Sequence, residues 1–136
     1  MRGRVVMVRL LKWLVLIMGV VNVAIGAAHL ALGIDSEPGL GGAGVTVDSR
    51  ERFYGAIFLG YGLAWVWAAR QSPIPARVVR WLAGLLLLGG VGRVLSIAIY
   101  GPPHWFQLVL MALELALPPL YLWLAPAGER AAARAR

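Results

Sequence analysis

Four long apolar blocks divide this chain and leave few ways for it to fold. Trp13–Ile34, Phe53–Ala69, Trp81–Tyr100 and Trp105–Ala125 are mostly apolar; about 20 such residues let a helix cross a hydrocarbon core of about 30 Å, and only Phe53–Ala69, at 17 residues, is short unless its polar first turn also enters the interface. A backbone at that depth must satisfy its own hydrogen bonds, which favours helices. The composition agrees: 60% of the 136 residues are hydrophobic and 14% charged, against about 45–50% and about 25% in soluble domains. The chain therefore reads as all-α, an integral membrane four-helix bundle in a single membrane domain over 1–136, with a basic disordered tail over 127–136. The first block follows a basic head, as a signal peptide would. It is long for such a peptide, however, and its cleavage-site candidates near Ala27-Ala28 are poor, so it reads as a span.

The breaks between blocks set the orientation. Arg2, Arg4, Arg9 and Lys12 precede the first span; Arg70, Arg77 and Arg80 lie in or beside the turn after the second; Arg130, Arg134 and Arg136 end the chain. The other side has Arg50 and Arg52 beside Asp35, Glu37, Asp48 and Glu51. Positive charge concentrates on the cytoplasmic side, so both termini are expected there, with 35–52 and the Gly101-Pro102-Pro103-His104 turn outside. Trp13, Trp67, Trp81, Trp105 and Trp123 fall near span ends, where interfacial aromatics collect.

Within the spans, spacing predicts which residues share a face. Gly19, Gly26 and Gly33 recur every seven residues, as do Gly55 and Gly62, and small residues at such spacing suit close helix contact. Asn22 and His29 share a face, as do Tyr54 and Tyr61. Asp48 or Ser49 is expected to cap the second helix. Gly84, Gly89, Gly90 and Gly92 thin one side of the third. Pro118-Pro119 should kink the fourth, because each proline removes a helical hydrogen bond.

The residues that carry chemistry lie at the last hairpin. Arg93 and Glu114 are the only base and acid well inside any apolar block, and an ionised side chain there costs about 2.5–3.5 kcal/mol on insertion scales. At about 1.5 Å per residue, Arg93 sits about 10 Å below the outer boundary and Glu114 about 14 Å, so an ion pair is natural. Gly89, Arg93, Ser96 and Tyr100 form one stripe; Gln107, Glu114 and Tyr121 form another. With His29, Tyr54, Tyr61 and His104, these groups are expected to line an outward-facing polar pocket. Arg93 would hold an anionic or carbonyl group, and Glu114 would orient it or move a proton. Each piece also has a structural reading: an Arg93–Glu114 clasp, an interfacial His29, a His104 that caps the fourth helix, and tyrosines that pack.

Several classes are excluded or disfavoured. With no cysteine there is no disulfide or thiolate chemistry. The net charge of +7 does not point to nucleic acid, because the basic residues flank apolar blocks and form no continuous patch. Anionic lipid headgroups are the expected counter-charge. The histidines and glutamates show no ligand pair at helical spacing, so neither a metal nor another cofactor is expected. No nucleophile–base motif, phosphate loop or haem pattern is present.

The runs Ser49-Arg50-Glu51-Arg52-Phe53-Tyr54-Gly55, Gly60-Tyr61-Gly62, Gly89-Gly90-Val91-Gly92-Arg93-Val94-Leu95-Ser96 and Gly101-Pro102-Pro103-His104, with Glu114, resemble a family of small bacterial four-span membrane proteins. That family is known chiefly as a domain of unknown function and looks like a distant relative of the DoxX-type four-helix proteins. The resemblance spans about 13–125 and implies the four-helix topology and a recurrent set of polar residues, without an established reaction; the chain is expected in a bacterial inner membrane. By analogy with DoxX-type proteins the resemblance also implies a quinone or an oxidoreductase partner. The leading expectation is a pocket for a small amphipathic ligand: a quinone, an isoprenoid or a lipid. A second is an accessory or scaffolding subunit of a respiratory or transport complex, or a homo-oligomer, docking through the glycine faces. A third is a proton-coupled small transporter, against which the arginine beside Glu114 argues. An enzyme using Glu114 or His29 for proton transfer is a further alternative.

Overall fold

A computed structural model of the chain describes residues 2–133. Its order is α1 (Arg2–Leu32), a 3-10 turn (Gly33–Ser36), α2 (Val45–Arg70), α3 (Ala76–Tyr100) and α4 (Trp105–Ala133). There is no strand among the described residues. Three segments, Val5–Ser36, Ala76–Tyr100 and Trp105–Pro126, are long and apolar enough to cross a membrane. The second helix is not among them. Its first two turns carry Asp48, Arg50, Glu51 and Arg52, and glycines, tyrosines and tryptophans dilute the rest. Only 17% of the spanning window of α3 is buried inside the protein. Leu85, Leu88, Val91, Leu95 and Ile99 instead point outward, as in a helix whose solvent is lipid.

Every helix extends past its apolar block at one end or both. The basic head is part of α1, and α2 begins just after Gly44, whose carbonyl accepts the amides of Val47 and Asp48. Asp48 therefore lies inside the first turn rather than at the cap expected for it. α3 follows Pro75, at φ −74°, and ends at Gly101. That residue adopts φ +86° and donates its amide to the Ile97 carbonyl, a conformation glycine takes without a Cβ penalty. α4 is assigned as continuous through Pro118, Pro119 and Pro126 to Ala133. The tail expected to be disordered from 127 is thus helical as far as Ala133, and 134–136 lie outside the described residues. An Arg80–Glu129 ion pair at 3.2 Å ties this extension to α3.

The chain divides into two compact units, one of residues 14–70 and one of residues 1–13 with 71–136. In the 14–70 unit, α1 and α2 touch backbone to backbone. A Cβ on Gly26 would stand 2.3 Å from the Leu59 nitrogen, one on Gly62 2.5 Å from that of Val23, and one on Gly19 2.7 Å from that of Val66. Partners fall in number along α2 as they rise along α1, so the helices are antiparallel. The heptad glycines are what allows this approach. Both glycine faces offered as docking surfaces are consequently spent inside the chain, with Gly19, Gly26, Gly55 and Gly62 all buried.

In the other unit, α3 and α4 form a hairpin. Ile74, Ala76, Val79, Leu82 and Ala83 are buried at its open end, with Tyr121, Leu124 and Ala125. Nearer the Gly101–His104 turn, Gly90 makes room for α4: a Cβ there would meet Leu115 at 2.8 Å and the Glu114 Cβ at 3.1 Å. Gly84 and Gly92 face open space instead. One glycine of the expected four is tightly packed against the neighbouring helix.

Candidate functional site

Each unit carries its own polar cluster. On the α3–α4 hairpin, Arg93 Nε donates to Glu114 Oε2 at 2.7 Å, and Arg93 Nη1 donates to the Gln107 side-chain carbonyl. The ion pair expected from helical depth is present. Gly90 lets Glu114 approach α3, and the step of seven from Gln107 to Glu114 puts both on the face that meets Arg93. Pro118 deepens the polarity, since it lacks the amide that would otherwise bond the Glu114 carbonyl. Glu114 is buried at 9% exposure, while the Arg93 side chain is 31% exposed. The acid is enclosed and its arginine partner is the more exposed of the two. Among the described residues no partner engages Arg93 Nη2.

The remaining hairpin residues divide differently. Ser96 and Tyr100 are exposed, on the part of α3 that α4 leaves uncovered. His104 Nδ1 accepts the Phe106 amide at 3.3 Å, and the His104 carbonyl accepts that of Gln107. His104 thus caps α4, with its ring 5.5 Å from that of Trp105.

His29, Tyr54 and Tyr61 belong to the 14–70 unit. Tyr54 is exposed beside Phe53. Tyr61 is half-buried and meets Trp65 and Phe58 edge-on. His29 stands in a second cluster that sequence reasoning missed. Its Nδ1–H donates to the Ile25 carbonyl at 2.9 Å, and Nε2 lies 3.3 Å from Glu37 Oε2. Glu51 completes the group, with one ligand-type atom from each of the three residues lying within 4.8 Å of the others. Glu51 precedes the apolar block that starts at Phe53. Burial pushes its carboxyl up, and the hydrogen bond and charge of Glu37 add to this, while His29 and Arg50 pull the other way.

A strap holds this cluster in place. Arg52 donates from Nε to Asp48 and from Nη1 to the carbonyls of Leu30 and Ala31, each at 2.9 Å. It thereby supplies the end of α1 with the cation its dipole favours. Asp48 in turn accepts the Ile34 amide at 3.2 Å. The hydrogen bond from Arg52, then that from Ile34, holds the Asp48 carboxyl below its ordinary value. Gly33 at φ +59° lets the chain pass so close that a Cβ would fall 1.8 Å from Asp48 Oδ1. The spacing of seven between Asn22 and His29 gave a face, but Asn22 turns back to Met18 and does not join the cluster's hydrogen bonds. Glu37 and Glu51, read as loop and first-turn charges, gave no separate signal.

Comparison with known proteins matches residues 10–125 to a family described as a domain of unknown function, DUF4345. No curated protein and no solved structure matches the chain. The match covers most of the sequence, and the chain belongs to the DUF4345 family.

Proposed function

We propose that this protein binds a small amphipathic molecule, a quinone, isoprenoid or lipid, through Arg93, within a bacterial inner membrane. In this reading α2 is a fourth, short crossing, and both termini face the cytoplasm. The observation that carries it is the state of Arg93. Glu114 and Gln107 fix its Nε and Nη1, while the side chain keeps 31% of its surface exposed. A planar, always charged group pre-oriented in this way suits a carbonyl, carboxylate or phosphate oxygen. The polar end would meet Arg93, and the apolar body would lie along the exposed leucines and valines of α3. The hairpin residues Ser96, Tyr100 and His104 lie toward the same end of α3 and α4 and are expected to line the approach. The resemblance to DoxX-type proteins makes a quinone the first ligand to try.

The test is ligand-dependent thermal stabilisation in detergent. Addition of a ubiquinone or menaquinone analogue, or of phosphatidylglycerol, should raise the Tm of the parent protein. Arg93→Ala should lose that rise while still inserting, and Glu114→Gln should weaken it. If neither ligand class shifts the parent's Tm and both variants merely unfold, the pair is a structural clasp and the proposal fails.

A further inference from the structure

The second cluster has no role in that proposal, and its chemistry is of a different kind. Nδ1 of His29 faces a backbone carbonyl, which can only accept, so Nδ1 carries the hydrogen. Nε2 of the neutral ring is then a lone pair, and it points at a carboxylate oxygen of Glu37 3.3 Å away. Glu51, 8% exposed, brings a second carboxylate to the same place. One ligand-type atom from each of the three residues lies within 4.8 Å of the others, close enough for a single cation to touch all three.

The two nearby arginines leave the centre of the cluster to another cation. Arg52 is committed to Asp48 and to the carbonyls of Leu30 and Ala31. Arg50 reaches Glu51 Oε1 only at 3.8 Å, with a side chain 57% exposed. Two carboxylates and a neutral imidazole carry the charge that one divalent cation balances. A histidine whose far nitrogen is tied to a backbone carbonyl is also the usual arrangement of a metal ligand, because that bond fixes the tautomer and aims the ring.

We infer that His29, Glu37 and Glu51 form a binding site for a divalent transition-metal ion. One imidazole and two carboxylates suit zinc, manganese or iron(II) better than calcium or magnesium, which take oxygen ligands. Metal–ligand distances of about 2.0–2.2 Å require the three atoms to close only modestly from their present separations. Three protein ligands leave at least one coordination position for water or an incoming group. α1 supplies the histidine, the segment after the 3-10 turn supplies Glu37, and the first turns of α2 supply Glu51. Arg52 and Asp48 lock these elements together. The site is independent of the reading of Arg93.

The experiment uses the full-length protein in detergent, stripped with EDTA and titrated with Zn2+ against a chromogenic chelator. One Zn2+ per chain is expected, and neither Ca2+ nor Mg2+ in the same range should displace it. His29→Ala and Glu51→Gln should each weaken binding by at least about 100-fold, the upper end of what outer-shell changes cost. Glu129→Gln, on an exposed acid of the other unit, should leave it unchanged. X-ray absorption of the zinc-loaded parent keeps the question open to refutation even if a variant does not fold: imidazole scattering with oxygen ligands is expected. No stoichiometric binding, displacement by Ca2+ at equal concentration, or a spectrum without imidazole would overturn the assignment and leave a proton-sharing cluster.

Discussion

Arg93 and Arg52 show how two arginines in one chain are put to different use. Arg52 spends its donors inside the protein, on Asp48 and on two carbonyls at the end of α1. These bonds tie α2 to the end of α1, so Arg52→Ala should lower the Tm while Arg52→Lys, which lacks the guanidinium fork, restores only part of the loss. The Asp48 partnership has a pH signature. Its folded pKa lies below the ordinary 3.8, so the stability it adds is complete above that value and fades as pH falls through the lower, folded pKa. Asp48→Asn keeps an acceptor for Ile34 and loses the ion pair. Acid titration of its Tm should therefore be flatter below about pH 4 than that of the parent. Arg93 is readable in the sequence because a charge inside an apolar run is conspicuous. Arg52, Glu37 and Glu51 are not, since they sit in a polar stretch where charges are ordinary and their meaning depends on how the chain folds back.

At the scale of elements, the glycines divide into those that touch and those that do not. Gly26 packs against the Leu59 backbone, whereas Gly60, on the same pair of helices, has nothing within 4 Å. Gly26→Ala should thus separate α1 from α2, with a cost of about 1–3 kcal/mol or more. Gly60→Ala should be neutral or stabilising by up to about 1 kcal/mol through helix propensity. Thermal denaturation of the two variants side by side checks this. The heptad spacing made the α1 and α2 glycines legible as contact residues but did not say what they contact. It fitted a partner protein as well as it fitted the neighbouring helix, and only the fold decides between them. Span ends were less legible than span cores. Charged turns continue a helix beyond the apolar block when an ion pair such as Arg80–Glu129 holds the extension, and hydropathy alone stops where the charges begin.

For the molecule as a whole, three helices are long and apolar enough to cross a membrane, and their outward-pointing leucines suit lipid surroundings. Five exposed tryptophans near the ends of the apolar blocks, Trp13, Trp67, Trp81, Trp105 and Trp123, suit interfacial positions. The proposed orientation can be checked by single-cysteine labelling, which the cysteine-free sequence permits without prior substitution. Gly42→Cys should react with a membrane-impermeant maleimide in intact cells, and Arg77→Cys only after permeabilisation. The central claim is that Arg93 holds a ligand, and mass spectrometry of what co-purifies after mild extraction tests it most directly. A quinone, isoprenoid or single lipid class retained by the parent and lost from Arg93→Ala is the predicted result. The same lipid profile from both proteins would contradict it.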